Sequence, residues 1–398
     1  MAIVTSDQER TEGESVRRGF SLRTLPIDPQ FIALGIAFIV LAVLFQIGTS
    51  GVFFTPRNLS LLLRQGSVVA VLAAGVSVLM IMGQIDLSIG AAVYLVGVFV
   101  AQLDINSDLP IYVLVIAGIA AGCVLGAWQG FWVVKLAVPS FVVTLAGLLM
   151  FRGVGWLWTN AETVAPVSED FIGLSESFTP TGLSVIALTV IYVVSLVAMV
   201  VSAQGDRKYG LPVDTVKLIG RIAGLTVPFV FLVWISSGFL GVPAAVVWAA
   251  AIGLVLTVVM QKTRFGRNSY LIGSNREAAR FSGIPVRKLT FYSFVLMGAI
   301  YGVGAVLLTA RLGSAPANMG INLELTAIAA AVIGGTSLSG GKGTVIGAIA
   351  GALLLSTIDN GMGLMNVSSF AQTVVKGAVL LLALAVDAFV NRRSLTRI

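Results

Sequence analysis

The chain contains no histidine and a single cysteine, Cys123. Without His it lacks the commonest general base near neutral pH and the commonest zinc ligand, so imidazole or metal catalysis has almost no support. One thiol cannot close an intrachain disulfide. Charge is scarce too: 11% of residues are Asp, Glu, Lys or Arg and 57% are hydrophobic, against about 25% charged in an average protein. That balance excludes a soluble domain. Apolar runs of about 18 or more residues recur, and inside a bilayer only helices or closed barrels satisfy the backbone. The expected fold is an all-α polytopic membrane protein with about 10–12 transmembrane or half-spanning helices. The net charge of +7 is no nucleic-acid footprint, because the basic residues sit in short loops beside apolar runs, where membrane orientation accounts for them.

Residues 1–30 are polar and mixed in charge, too long and too acidic for a cleavable signal, and read as a retained cytoplasmic tail. Apolar segments follow at about 31–48, 59–82, 89–103, 111–134, 141–158, 183–202, 225–240, 243–260, 291–310, 323–335, 344–360 and 370–390. A basic cytoplasmic tail, 391–398, ends the chain. The segments at 89–103 and 323–335 are short for a core of about 30 Å and read as full spans or re-entrant half-helices. Gly118, Gly122, Gly126 and Gly130 recur every four residues and predict a bare helix stripe that a neighbouring backbone approaches closely. With both termini cytoplasmic, each loop rich in Lys or Arg falls inside and the two acidic loops, with Asp104 and Asp108 and with Glu162, Glu169, Asp170 and Glu176, fall outside, as the positive-inside rule requires.

Residues 261–290 hold seven of the 25 Lys and Arg and one acid, Glu277. Ser274-Asn-Arg-Glu277 has the spacing of a capping box, and Gly283 with Pro285 supplies a stop, which predicts a helix of about eight residues. So short a helix is marginal alone and needs a surface to lie on. Ala278, Ala279 and Phe281 give it an apolar side, and Arg276 and Arg280 a basic one. It reads either as a docking element for a soluble partner or as a solvated basic loop that only fixes orientation.

Gly83-Gln-Ile-Asp-Leu-Ser-Ile-Gly90 and Gly334-Gly-Thr-Ser-Leu-Ser-Gly-Gly341 share Gly, Leu, Ser and Gly at matching offsets, each between short apolar segments. The echo reads as a duplication or as chance in low-diversity sequence. Broken segments at corresponding places of two halves mark substrate paths in transporters. Gln84, Asp86 and Ser88 at the first break, and Ser337, Ser339 and Asn360 near the second, are the candidates to line a polar path. Asp359 and Lys376 are predicted to pair, since a lone membrane charge costs about 2.5–3.5 kcal/mol. Gly341-Lys-Gly-Thr344 is not a phosphate loop, because Lys is not followed directly by Ser or Thr. No nucleotide, metal or cofactor site is expected in this chain, so ATP-driven transport would need the ATP and Mg on another polypeptide.

Glu277-Ala-Ala279-x-x-x-Gly283 resembles the core of the Glu-Ala-Ala motif of ABC importer permeases. Phe265-Gly-Arg267, Ile272 to Ile284, Ile333 to Gly341, Asp359-Asn-Gly361, Val375-Lys-Gly377 and Gln84-Ile-Asp-Leu-Ser88 are similar to the ribose and xylose branch, over roughly residues 58–390. The longer stretch 203–224 is similar to the xylose type. The resemblance implies a non-catalytic permease subunit of a sugar importer in the inner membrane of a bacterium, with a pentose such as xylose as first expectation. It also implies a cytoplasmic ATP-binding subunit coupled through residues 274–284, a second permease copy as a homodimer, and an extracytoplasmic sugar-binding protein. The competing reading is an ion-coupled secondary transporter with Asp86 or Asp359 holding the ion, against which the capped basic loop speaks.

Overall fold

The computed structural model describes residues 29–208 and 215–395. From the amino end come α1 (Pro29–Gly48), α2 (Pro56–Ile81), α3 (Ile89–Asn106), α4 (Ile111–Lys135) and α5 (Ser140–Thr159). A short α6 (Glu169–Glu176) and strand β1 (Phe178–Thr179) precede α7 (Thr181–Lys208), α8 (Thr215–Gly238), strand β2 (Val242–Pro243) and α9 (Ala244–Lys262). There follow α10 (Arg264–Ser274), α11 (Arg276–Phe281), α12 (Val286–Leu312), α13 (Leu323–Ile333), α14 (Val345–Leu364) and α15 (Ser369–Leu395). Among the described residues, nine helices are long and apolar enough to cross a membrane, and Leu34–Gly48, Leu323–Ile333 and Ser369–Leu382 are shorter apolar helices. The protein is an all-α polytopic membrane protein. The tail expected at 1–30 lies, apart from Pro29 and Gln30, outside the described residues, as do the side chains of Arg392, Arg393 and Arg397.

Of the two short segments, α3 is a full 18-residue helix that runs on to Asn106 and carries Asp104, whose carboxylate accepts the Ser168 N–H at 2.6 Å and the Ser168 hydroxyl at 2.8 Å. By contrast α13, at 11 residues, covers about 16 Å and is a half-span. The loop expected at 203–224 is mostly helix, since α7 runs to Lys208 and α8 starts at Thr215. Polar side chains end an apolar run without ending a helix, so hydropathy misplaced that boundary; residues 209–214 lie outside the described chain.

Central in the bundle is α2, packed on α8, α9, α12, α13 and α14. Its start is set by Thr55, whose hydroxyl accepts the Asn58 N–H, followed by Pro56, a residue suited to the first turn because an amide there would have no intrahelical partner. The glycine ladder of α4 lies on α12: a methyl on Gly122 would enter the Gly298 carbonyl, and one on Gly126 the Phe294 carbonyl. Bare backbone therefore meets bare backbone along several turns, the contact that small residues permit where lipid gives no hydrophobic drive between helices. The α8–α9 turn is fixed by β2 pairing antiparallel with β1, Thr179 opposite Val242.

The sequence echo does not extend to conformation. Gly83 has φ +71°, whereas its counterpart Gly334 has φ −72°. Gly90 lies in the first turn of α3, while Gly341 sits in a turn at φ +74°. The two breaks are nonetheless neighbours in space, and the same short helices cover both.

Candidate functional site

Two short helices form the surface between α9 and α12. Thr263 starts α10, its hydroxyl accepting the Gly266 N–H. The expected capping box does not form: Ser274 belongs to α10 and donates its hydroxyl to the Tyr270 carbonyl at 2.8 Å. Asn275 instead leaves the helical region, at φ −157° and ψ 102°, and its side-chain oxygen accepts the Ala278 N–H at 2.9 Å. Asn and Ser cap equally well, so the backbone decides which of the two does so. The helix that results, α11, is six residues rather than about eight. Gly283, at φ +77°, closes it in a Schellman motif, with Gly283 N–H to the Arg280 carbonyl and Ile284 N–H to the Ala279 carbonyl, both 3.1 Å.

Only part of the expected apolar side is buried. Ala279 is buried with Met82, Ile272 and Val286, but Ala278 is exposed and Phe281 is 85% exposed. Arg276, Glu277 and Arg280 also face solvent. An 85% exposed Phe beside two arginines and a carboxylate is an uncovered, chemically mixed surface. Met82, which Ala279 packs near, is the last residue before the first break.

The end of α10 touches both breaks. A Cβ on Gly273 would run into the Ile81 carbonyl and lie 2.5 Å from the Gly341 nitrogen. Those two groups are hydrogen-bonded, Gly341 N–H to Ile81 carbonyl at 2.8 Å. Nearby, Gly340 packs against Gly83 and the Gly273 carbonyl. The Tyr270 hydroxyl donates to the Gly343 carbonyl at 2.8 Å; burial raises the Tyr270 phenol above its ordinary range, so it stays a donor at neutral pH. Thus residues 270–274, Ile81–Gly83 and 340–343 form one contact.

The match with known proteins covers these same elements. The family model described as branched-chain amino acid transport system / permease component matches residues 58–384. The chain belongs to this permease family. The permease is 38% identical over 385 residues to the xylose transport system permease protein of Escherichia coli, covering 94% of this chain and 96% of that one. The Haemophilus influenzae protein of the same description is 36% identical over 373 residues, 92% and 98% of the two chains. The ribose import permease protein of Escherichia coli is 33% identical over 377 residues, 95% and 98%. No solved structure matches the permease.

Beyond the first break, residues 84–88 of the permease run without regular structure into α3. Asp86 and Ser88 are fully buried there with Gln129 of α4 and Tyr301 of α12. Asp86 Oδ1 accepts the Ser88 N–H at 2.8 Å and its hydroxyl at 2.7 Å. The Tyr301 hydroxyl donates to Asp86 Oδ2 and lies 3.1 Å from Gln129 Oε1. Gln129 Nε2 in turn donates to Ser88 Oγ at 2.5 Å. In this conformation Asp86 and Ser88 therefore line no open path; they sit in a closed network, and a satisfied polar network rigidifies what it joins. Gln84 is buried as well, its amide 3.5 Å from the Met82 carbonyl.

Two further charged residues, Arg152 of α5 and Glu324 of α13, sit near the start of α3. Arg152 donates to the Met319 carbonyl at 2.6 Å and lies 4.9 Å over the Tyr94 ring, within Coulombic reach of Glu324. A depression of about 290 Å³ opens beside Arg152, Trp156, Asn322 and Glu324. Gln129, Tyr301 and Tyr94 escape a reading of the sequence: each is a lone polar or aromatic residue in an apolar span, and intramembrane polarity is the only signal that marks it.

At the second break, the Ser337 and Ser339 hydroxyls are 2.8 Å apart. Asn360 is not near it. It lies at the far end of α14, in a reciprocal amide pair with Asn58, 2.9 Å each way, because 15 residues of helix from Val345 carry it about 22 Å away. On the same part of α14, Asp359 Oδ2 lies 2.9 Å from Lys376 Nζ.

Proposed function

We propose that this permease is the membrane subunit of an ATP-driven sugar importer of the xylose type, coupled to a separate cytoplasmic ATP-binding subunit through residues 274–284. The observation that carries the coupling role is the α10–α11 contact: an exposed surface formed by Arg276, Glu277, Arg280 and Phe281 on one side, and on the other Gly273 and Ala279 seated at both breaks. A force on that surface has a short path to Ile81–Gly83 and to 340–343. The xylose assignment rests on the relatives at 36–38% identity along nearly the whole chain. The family description names branched-chain amino acids, but the long, near-complete alignments with xylose and ribose permeases favour a sugar.

In this reading, both termini and residues 261–290 are cytoplasmic. A sugar-binding protein docks at the opposite end. The ATP and Mg are held by the partner subunit. A second copy of the permease faces α2, whose Arg57, Leu61, Arg64 and Gln65 remain partly exposed although α2 is central; charges on a membrane helix call for water or protein rather than lipid. Transport then alternates between the closed Asp86–Ser88–Gln129–Tyr301 network and a state in which the breaks part, with Gln84, Asp86, Ser88, Ser337 and Ser339 turned to the path.

The test is reconstitution. Proteoliposomes holding the permease, its ATP-binding subunit and its binding protein should accumulate xylose with ATP. Glu277→Arg should abolish uptake while the subunit remains in the membrane. Accumulation against a gradient by the permease alone would refute the proposal.

A further inference from the structure

The glycine ladder holds α4 and α12 together only as far as Gly130. Four residues on, the small-residue stripe is interrupted by Val134, and α12 presents Phe291 to Gly130. The two helices no longer meet closely there, and an open groove of about 420 Å³ lies between their ends. Its walls are Phe131 and Lys135 from the last turns of α4 and Arg287, Lys288, Phe291 and Tyr292 from the first turns of α12. Three cations line it and no acid does. Among the described residues the ion pairs are Arg64–Glu176 and Asp359–Lys376, so none of the three is neutralised in that way.

The groove sits at the level where a bilayer turns from hydrocarbon to headgroups. Lys135 ends a long apolar helix and Arg287 opens another, both at the end of the bundle that carries α10 and α11. Phe131, Trp132 and Tyr292 are 48%, 38% and 58% exposed, as rings of an interfacial belt are. Leading away from the groove, Phe131, Val124 and Ile116 follow one another at intervals of seven and eight residues on one face of α4, the last two 67% and 63% exposed. The site thus joins a cationic pocket to an apolar stripe about 20 Å long.

We propose that this groove binds the phosphate headgroup of an anionic phospholipid, with an acyl chain lying along Phe131, Val124 and Ile116. Arg287 supplies a planar fork and Lys135 and Lys288 point charges to the phosphate oxygens. The aromatic rings hold the glycerol backbone at the interface. Basic pockets between membrane helices select anionic headgroups by this charge complementarity.

The test uses the full chain in detergent, titrated with phosphatidylglycerol or phosphatidylcholine and followed by native mass spectrometry and melting temperature. Phosphatidylglycerol should bind and stabilise; phosphatidylcholine should not. The triple variant K135Q/R287Q/K288Q should bind phosphatidylglycerol about 100-fold more weakly, at roughly a fivefold loss per cation. The control K262Q/R264Q/R267Q, at the same end but outside the groove, should bind within about twofold of the native chain, since it leaves all three groove cations in place. Equal losses in both triples would mean diffuse attraction to a basic face and would overturn the proposal. So would equal stabilisation by inorganic phosphate, which would mark a soluble-anion site. Should the triple variant not fold, photoactivatable phosphatidylglycerol on the unaltered protein decides: label within 124–135 and 286–292 supports the site, and label elsewhere refutes it.

Discussion

Gly273→Ala puts one methyl where α10 meets both breaks. Its Cβ would overlap the Ile81 carbonyl and fall 2.5 Å from the Gly341 nitrogen. Both are backbone, so no side-chain rotamer can relieve the clash, and α10 must lift or the breaks must part. Overpacking of this kind costs about 1–3 kcal/mol, and losing the Gly341 to Ile81 hydrogen bond adds about 0.5–1.5 kcal/mol. The sum, about 1.5–4.5 kcal/mol, corresponds to a roughly 10- to 2000-fold change in the equilibrium between docked and undocked α10. In proteoliposomes with the ATP-binding subunit and loaded binding protein, uptake should fall by at least about tenfold while hydrolysis persists, which is uncoupling. Gly283→Ala is the control. Its Cβ meets nothing within 4 Å, so only the left-handed backbone is strained, at about 1–2 kcal/mol, and its uptake should fall less. Wild-type uptake and wild-type ATP consumed per sugar in Gly273→Ala would refute the mechanical path.

Tyr301→Phe removes the hydroxyl that Asp86 Oδ2 accepts from and should lower stability by about 1–3 kcal/mol; with Asp86→Asn added, the loss in a detergent unfolding titration should be less than the sum, and strict additivity would rule out the network. For Asp359 and Lys376, a double-mutant cycle with Asn and Met should give a coupling of about 0.6–1.7 kcal/mol, and a value near zero would leave the 2.9 Å contact without energetic weight.

Hydropathy and loop charge made the bundle legible, because a bilayer leaves the backbone so few options that apolar length nearly dictates the helix. The ladder at Gly118–Gly130 was readable for the same reason: an interval of four in a membrane helix has one geometric meaning. Boundaries set by polar residues were not. That α7 continues to Lys208 and that Asn275 rather than Ser274 caps α11 depend on where the backbone leaves the helical region, and neighbouring residue types do not encode it strongly. That residues 276–281 form a short helix closed at Gly283 was legible from composition and the stop signal, although the cap was misplaced by one residue. The seat of α11 against Met82, and that of the preceding α10 against Gly341, which lie nearly 200 and about 70 residues away in sequence, belong to the tertiary fold. Asn360 reads from the sequence as near the second break, whereas the helix rise of α14 carries it to Asn58.

The close seating of α4 on α12 has a kinematic consequence. Sliding one past the other by a single residue's rise, about 1.5 Å, would drive the side chains flanking Gly122 and Gly126 into carbonyl oxygens. This pair can pivot only as a single strut. Relative movement during a transport cycle is thereby shifted away from the α4–α12 pair to other contacts of the bundle.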